Sequence, residues 1–192
     1  SCLKWCKLLA WRSKIRKELN VSENTQLVGI VGRYDPQKDH RNFIHAASRL
    51  NKIIPSVEYI MCGTNVTRNN HELNNWIQEF GLLDKMHLLG HRNDVQRIYA
   101  ALDVKAVTSR YGEAFPMVIC ESMACGTPCV VTDIGDSAYI VGDTGIIVEK
   151  DNPNALAEAF LKILKMDITE KKKLNAEARE RIYSLFSLEK IV

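Results

Sequence analysis

The sequence contains no apolar run that approaches the roughly 20 residues a helix needs to cross a bilayer. It also lacks low-complexity tracts and Gly/Ser linkers between residues 27 and 165. Because 46% of its 192 residues are apolar, the chain can build a packed core, and disorder or an integral membrane protein does not fit. Basic residues, and not a small-residue cleavage site, follow the apolar patch in residues 1–11. No signal peptide is therefore predicted, and we expect a cytoplasmic protein.

Metal-binding and disulfide patterns are also missing. The six cysteines form no Cys-x-x-Cys pair, and their spacing matches no zinc framework. The chain is long enough to fold without disulfides, so reduced and mostly buried thiols are expected. His87 and His91 are four residues apart, but Gly90 and a strand-like run around them argue against a helical pair of ligands. We therefore expect no metal site.

Basic charge is concentrated at one end of the chain. The net charge is +3, yet residues 1–19 hold six basic residues against a single acid, Glu18. The remainder is net acidic. This distribution argues against a nucleic-acid-binding protein, in which basic charge would spread over the domain.

Short strand-like runs alternate with segments of helical periodicity. This alternation predicts βαβ units, and hence an α/β fold with a Rossmann-like doubly wound parallel sheet. We divide the chain into an N-terminal linker and amphipathic helix (1–26), a Rossmann-like domain (27–166) and a C-terminal helical extension (167–192). The predicted strands are 26–32, 57–62, 86–89, 104–108, 128–132 and 145–148.

Ligands of doubly wound sheets bind where the strand order reverses, beside the loops after strands one and four when the order is 3-2-1-4-5-6. The first of these loops carries Arg33 and Lys38 just beyond Gly32. A guanidinium fork and an ammonium suit a diphosphate, and Gly32 allows close backbone approach. Taken alone, the same residues also describe a solvated loop with two incidental cations.

The second loop leads into an apolar helix bounded by Pro116 and Gly126. Because this helix is apolar almost all round, we expect it to be buried. Glu121 is its exception and needs a polar partner, either a ligand hydroxyl or a structural group of the protein. Glu113 lies before the helix, at the mouth of the predicted crevice, or else is an ordinary exposed loop acid.

Together these residues resemble a known family. Glu113 and Glu121, followed by Ser-Met-Ala-Cys-Gly-Thr-Pro, are similar to the Glu-x7-Glu signature of retaining group-one glycosyltransferases with the GT-B fold. The Gly32–Lys38 stretch resembles the diphosphate-binding loop of that family. Residues 88–95, which include Arg92, resemble its loop beside the nucleotide base. The similarity covers about residues 27–165 and implies one half of a GT-B enzyme, the donor-binding half.

The resemblance implies roles for these residues. Arg33 and Lys38 would neutralise the diphosphate of a nucleotide sugar as the sugar–phosphate bond breaks, in place of a metal, with no resident cofactor. Glu113 would contact the donor sugar, and Glu121 would accept hydrogen bonds from the ribose hydroxyls. The segment at the start of the helix would bind the donor through backbone amides at Phe115 and Met117. Its residues are Ala114, Phe115, Pro116 and Met117.

The sequence also departs from the family pattern. Ala114 and Pro116 stand where glycine is common, and Pro116 removes an N–H that a donor could have used. A Gly-Gly-x-x-Glu run is replaced by residues 135–139, Gly-Asp-Ser-Ala-Tyr. No acceptor domain is recognisable, and at residues 187–192 the chain reaches the point where the closing helix of the family would begin.

The resemblance predicts transfer of a hexose-type sugar from UDP, GDP or another nucleotide to a glycan or glycolipid in cell-surface polysaccharide biosynthesis. The expected partners are the nucleotide sugar, an N-terminal acceptor-binding domain and a lipid-linked acceptor that draws the enzyme to the inner membrane face. Without that domain we expect the isolated chain to be inactive. The alternatives are half of a nucleotide-sugar epimerase or phosphorylase and a nonenzymatic nucleotide-sugar-binding domain.

Overall fold

The computed structural model describes the backbone of residues 2–186 and the side chains of residues 7–186. Residues 187–192, the end of the predicted C-terminal extension, lie outside the described residues, as do the thiols of Cys2 and Cys6. The strands are β1 (Leu27–Val31), β2 (Glu58–Cys62), β3 (Met86–Leu88), β4 (Val104–Val107), β5 (Cys129–Thr132) and β6 (Ile146–Val148). The helices are α1 (Cys2–Glu18), α2 (His40–Ile53), α3 (His71–Glu79), α4 (Val95–Ala101), α5 (Met117–Ala124), α6 (Ser137–Val141), α7 (Pro153–Leu164) and α8 (Ile168–Phe186).

The six strands form one parallel sheet in the order β3-β2-β1-β4-β5-β6. This confirms the doubly wound sheet and the strand order on which the predicted crevice depends. Strands β1, β4, β5 and β6 are short runs rich in β-branched residues, and most strand residues are buried because helices cover both faces of the sheet. The strand order reverses between β1 and β4, which pair directly.

Alternate side chains of each strand enter different cores. Val28 and Ile30 of β1 pack into the larger core beneath α2, α3 and α7, where Phe43 contacts Tyr59 and Phe160 edge-on. The opposite face of the sheet carries α1, α4, α5 and α8. This alternation matters at β4, because it turns Lys105 towards the α4–α5 side.

The N-terminal helix α1 packs against α4. Ile15 on that side is fully buried, as the apolar spacing of the predicted amphipathic helix requires. Arg16 is also fully buried, and its guanidinium donates to the carbonyls of Ser22 (2.8 Å) and Thr25 (2.7 Å) and to Asp103 (3.1 Å). These bonds replace the water that a buried cation loses, so the helix face towards α4 includes a charge.

The loop after β5 contains a helix that the sequence analysis does not predict. Helix α6 is only five residues long, too short for helical periodicity to be visible in the sequence. In that loop Gly135 has a φ of +58°, and a Cβ there would lie 1.8 Å from the Glu113 carbonyl oxygen. The amide of Asp136 donates to the Ala114 carbonyl at 3.0 Å. The loop after β5 is therefore fixed against the loop that carries Glu113.

Candidate functional site

The loops after β1 and β4 meet at the point where the strand order reverses. The amide of Arg110 donates to the Gln37 carbonyl (2.9 Å), and the Thr108 hydroxyl donates to the Lys38 carbonyl (2.6 Å). Gln37 also donates its side-chain amide to the Gly112 carbonyl at 2.8 Å. These bonds make the two loops, residues 32–39 and 108–116, one connected structure, which we call the crevice loops.

Two aspartates shape the first crevice loop. Asp35 accepts a hydrogen bond from the Gln37 amide (2.9 Å) and begins the 3₁₀ turn Pro36–Lys38. Asp39 has a φ of +48° and caps α2 by accepting from the Asn42 amide. The first interaction is an Asx turn and the second is a helix N-cap. Together they fix the loop and set the position of Lys38 between them.

Lys38 and Glu113 form an ion pair across the crevice loops. Their side chains are 19% and 9% exposed. Ser109 donates its hydroxyl to the same oxygen of Glu113 at 2.5 Å. Burial by itself raises the pKa of Glu113, but the hydrogen bonds from Lys38 and Ser109 outweigh it and hold the pKa below its ordinary value. The picture of Glu113 as an exposed acid in an open loop is therefore wrong, because the neighbouring loop covers it.

Arg33 remains largely in solvent, with 60% of its side chain exposed. Its Nε lies 3.2 Å from Asp35, and one Nη donates to the Gln37 side chain at 3.1 Å. The Cβ position of Gly32 faces the alkyl chain of Lys38, 3.5 Å from Cγ. The structure thus places Gly32, Arg33 and Lys38 on one loop, but only Lys38 contacts Glu113.

The residues at the start of α5 differ in their exposure to solvent. Pro116 is buried as the residue immediately before the helix, one position earlier than a first-turn proline. Ala114 is exposed, and its carbonyl holds the Asp136 amide. Phe115 is 39% exposed and lies edge-on to Phe186 of α8, with ring centroids 5.5 Å apart. Met117 is 57% exposed.

The expectation that α5 is buried all round, with Glu121 as a desolvated carboxylate, is wrong. Glu121 is exposed, and its Oε2 accepts a hydrogen bond from the hydroxyl of buried Tyr99 at 3.0 Å. Met117 and Glu121 are four residues apart and therefore share one face of the helix. That face points outward, because the sheet and the neighbouring helices cover the opposite face, which carries Ile119 and Met123.

Arg92 is held by carboxylates that the sequence analysis did not connect with it. Its Nε and one Nη bind Asp94 (2.8 and 3.0 Å), and Glu18 of α1 completes a second ion pair. These interactions raise the pKa of Arg92 above its ordinary value. Each guanidinium nitrogen of Arg92 is thus occupied, and the structure does not bring this residue into contact with Lys38 or Glu113.

Sequence reasoning also missed Lys105, Gln37 and Ser109. Lys105 is fully buried in β4, and its Nζ donates to the Ala106 carbonyl at 2.6 Å. Burial lowers its pKa to about 8. Gln37 and Ser109 lie in loops where their residue types are ordinary. The only signal of Lys105 was a charged residue inside a strand that the fold makes central.

The described residues contain no group of three or more His, Cys, Asp and Glu side chains placed to hold a metal ion. No helix in the described part of the chain is long and apolar enough to cross a membrane. The crevice loops hold three cations, Arg33, Lys38 and Arg110, and each has a carboxylate partner at the carboxyl edge of the parallel sheet. Fold and site together define an α/β domain of the kind that binds phosphorylated ligands at its switch point.

Comparisons with known proteins identify the family. The profile of the family "Glycosyl transferases group 1" matches residues 12–181, so the chain belongs to that family. The chain is 30% identical over 164 residues to a D-inositol 3-phosphate glycosyltransferase of Corynebacterium glutamicum, covering 80% of this chain and 38% of the relative. It is 28% identical over 183 residues to an Escherichia coli UDP-Gal:alpha-D-GlcNAc-diphosphoundecaprenol alpha-1,3-galactosyltransferase, covering 92% and 46%.

A solved structure agrees with the sequence comparisons. The Anabaena protein HepE, in complex with UDP and glucose, superposes with a TM-score of 0.84 at 28% identity, over 95% of this chain and 50% of HepE. The chain therefore spans about two fifths to half of the length of these proteins. The predicted family and the Rossmann-like half of a GT-B fold are confirmed. The domain boundaries and the roles of the site residues stay predictions.

Proposed function

We propose that this domain binds the nucleotide-sugar donor of a retaining glycosyltransferase. The enzyme would transfer a hexose-type sugar to a glycan or glycolipid in cell-surface polysaccharide synthesis. The observation that carries the proposal is the Lys38–Glu113 ion pair between the two crevice loops. It places a cation suited to phosphate in contact with a carboxylate suited to sugar hydroxyls. UDP is the favoured nucleotide, because HepE was solved with UDP and the E. coli relative is named for UDP-Gal.

Leaving-group stabilisation is the proposed task of Arg33 and Lys38. As the bond between the sugar and the diphosphate breaks, negative charge grows on the phosphate oxygens, and fixed cations lower the energy of that state. Arg33 is exposed and can turn towards a ligand at little cost. Lys38 is paired with Glu113. A diphosphate must therefore either bind the Lys38 ammonium together with Glu113 or displace Glu113 from it. Two cations then serve in place of a metal ion.

Glu113 is the proposed contact for the donor sugar. The hydroxyl of Ser109 holds its carboxylate even when Lys38 turns to phosphate, so the oxygen stays in position. The start of α5 adds the backbone amide of Met117, which has no partner within the helix, and the amide of Phe115 lies two residues before it. Glu121, on the exposed face of α5, is the proposed acceptor for the ribose hydroxyls. In this arrangement the donor lies along the β4–α5 connection.

The acceptor would be bound by the half of the protein that this chain does not span. The E. coli relative is named for an acceptor sugar linked to diphosphoundecaprenol, which supports a lipid-linked acceptor here as well. We therefore propose that the complete enzyme works in the cytoplasm at the inner membrane face. The chain by itself would bind donor and transfer sugar poorly, because transfer requires the acceptor hydroxyl to be held beside the anomeric carbon.

Isothermal titration of the 192-residue chain with uridine, UDP, GDP and UDP-hexoses tests the proposal. We expect UDP to bind, and Lys38→Ala to weaken UDP roughly tenfold to a hundredfold while changing uridine little. Lys52→Ala, an exposed lysine at the far end of α2, is the matched control and should bind like wild type.

Two outcomes would contradict the proposal: no binding of any nucleoside diphosphate, or equal losses of uridine and UDP in Lys38→Ala. Once the acceptor-binding half is supplied, NMR of the product's anomeric configuration separates retention from inversion.

A further inference from the structure

Gln37 of the first crevice loop is hydrogen-bonded at each of its polar groups. Its backbone amide donates to Asp35 (2.9 Å), and its backbone carbonyl accepts from the amide of Arg110 (2.9 Å). Its side-chain amide donates to the Gly112 carbonyl at 2.8 Å and accepts from an Nη of Arg33 at 3.1 Å. Because the backbone is fixed on both sides, the side chain extends from a set position between the two crevice loops.

The side-chain amide of Gln37 is matched to the two groups that it joins. The guanidinium of Arg33 can only donate hydrogen bonds, whereas the carbonyl of Gly112 can only accept them. An amide offers both a donor and an acceptor, on separate atoms. A carboxylate in its place could not donate to the Gly112 carbonyl, and an ammonium could not accept from Arg33. The bond to Gly112 therefore also fixes which end of the amide points towards Arg33.

Asp35 and Gln37 together hold one edge of the Arg33 guanidinium. Its Nε donates to Asp35 Oδ2 (3.2 Å), and its Nη2 donates to Gln37 Oε1 (3.1 Å). The other edge, formed by Nη1 and Nη2, keeps its fork of N–H groups, since none of the described side chains or carbonyls accepts from Nη1. Because a guanidinium is rigid and planar, fixing one edge sets the direction of the other. Such a fork can bind two phosphate oxygens at once.

The guanidinium of Arg33 lies close enough to Glu113 to act on its charge. Burial raises the pKa of Glu113, but the hydrogen bonds from Lys38 and Ser109 lower it. The nearby charge of Arg33 lowers this pKa further. Arg33 is thus held on the same side of the crevice loops as the Lys38–Glu113 pair, where the diphosphate is proposed to bind.

Exposure to solvent sets the size of the contribution that Gln37 can make. Arg33 is 60% exposed, so water competes for its hydrogen bonds, and Gln37 restrains the guanidinium without locking it. A long side chain loses rotamer freedom when it binds a ligand, and one that is already restrained loses less. The expected gain in ligand affinity is therefore a few-fold and not several decades.

We infer that Gln37 is a positioning residue that orients Arg33 for the diphosphate of the donor. It acts through Arg33 and makes no contact with the ligand itself. The inference rests on the proposed donor function and adds to it an uncharged residue that binding of phosphate by cations alone does not require. Arg33 can still turn at the surface, but Gln37 biases its direction before the ligand arrives.

Isothermal titration of the 192-residue chain with UDP and with uridine tests the inference in a double-mutant cycle. The four proteins are wild type, Gln37→Met, Arg33→Met and the double variant. Methionine has about the length of glutamine and cannot form these hydrogen bonds. Gln37→Asn, which keeps the amide but is one methylene shorter, breaks the bridge in a second way. Gln78→Met, at an exposed glutamine of α3, is the matched control.

We expect Gln37→Met to weaken UDP about threefold to fivefold and to leave uridine unchanged, with Gln37→Asn acting in the same direction. Arg33→Met should weaken UDP about tenfold. The double variant should bind UDP no more weakly than Arg33→Met, because Gln37 then has no guanidinium to orient. Gln78→Met should bind like wild type.

A purely structural role of Gln37 predicts a different result, namely losses that multiply in the double variant. That result, equal losses of UDP and uridine, no loss in either Gln37 variant, or failure of both to fold in thermal melts would each overturn the inference. UDP binding with multiplying losses would overturn the inference alone. A wild type that binds no nucleoside diphosphate would overturn the donor proposal together with it.

Discussion

The crevice loops and the sheet beneath them place a lysine in opposite surroundings. Lys38 lies at the surface of the loops, pairs with Glu113 and keeps 19% of its side chain in solvent. Lys105 lies in β4 with no exposure, and none of the described carboxylates forms an ion pair with it. The same residue type is thus stabilised by a partner in one region and desolvated in the other. The ammonium of Lys38 can exchange its partner Glu113 for an anionic ligand, whereas the buried ammonium of Lys105 opposes folding.

The largest expected effect comes from removing the buried charge. Lys105→Met keeps the length of the side chain, and it should raise the free energy of unfolding at pH 7 by up to about 3 kcal/mol. The reason is that burial lowers the pKa of Lys105 from 10.5 to about 8, so the folded state holds its proton less tightly than the unfolded state. Urea denaturation of the two proteins measures the difference.

The pH dependence of that difference provides the control. Because the folded pKa lies below the unfolded one, the cost is fully present below pH 8 and is lost as the pH rises from about 8 to 10.5. Wild type should therefore gain stability over this range relative to Lys105→Met. A constant difference between the two proteins at pH 7 and pH 10 would show that Lys105 affects packing and not charge.

Removing the paired lysine should do the opposite. Lys38→Met leaves the largely buried Glu113 without its cation, and we expect a loss of about 1–2 kcal/mol in the free energy of unfolding without ligand. Arg33→Met on the same loop is the comparison. Because Arg33 is 60% exposed, its replacement should change stability by no more than about 0.5 kcal/mol. Equal effects of the two variants would contradict the ion pair as a structural link.

The sequence predicts the fold well because the strands are apolar runs separated by turn residues, a pattern that depends on local composition. It also predicts that Lys38 and Glu113 lie close together, since both follow strands that meet at the switch point. It does not predict which of these side chains are exposed to solvent. Glu113 is covered by a loop distant in sequence, and Glu121 is exposed although its helix is apolar, because tertiary packing decides which face is covered. The Glu18 partner of Arg92 was missed for the same reason, since Glu18 lies in α1 and is distant from Arg92 in sequence.

Acid should act on the Glu113 side of the pair. The folded pKa of Glu113 is held below its ordinary value, so this carboxylate contributes stability above pH 4.5 that is lost as the pH falls through the folded pKa. Glu113→Gln removes the titrating group, and we expect about 1 kcal/mol less stability than wild type at neutral pH. The gap should close as the pH falls from 4.5 through the folded pKa. Denaturation curves between pH 3 and 7 measure it, and a gap that persists in acid would rule out the charge as its origin.

At Glu121 we expect an effect on ligand preference and little effect on stability, because its carboxylate is exposed and forms no ion pair like that of Glu113 with Lys38. Tyr99 occupies Oε2 from the buried side, and the remaining acceptor positions face solvent, where ribose hydroxyls can reach them. If the ribose assignment is right, wild type prefers UDP over 2′,3′-dideoxy-UDP. Glu121→Gln replaces one acceptor by a donor, and it should reduce that preference by about 1 kcal/mol, roughly fivefold, because the site is open to water.

Tyr99→Phe separates positioning from recognition in the same measurement. Without the hydroxyl, the Glu121 carboxylate loses the group that orients it, but it remains an acceptor. The preference for the ribose ligand should therefore fall by less than in Glu121→Gln, while affinity for the dideoxy ligand stays constant in all three proteins. An unchanged preference in Glu121→Gln would refute the ribose role. A reduced preference there, with no change in Tyr99→Phe, would keep the role and show that the helix alone positions Glu121.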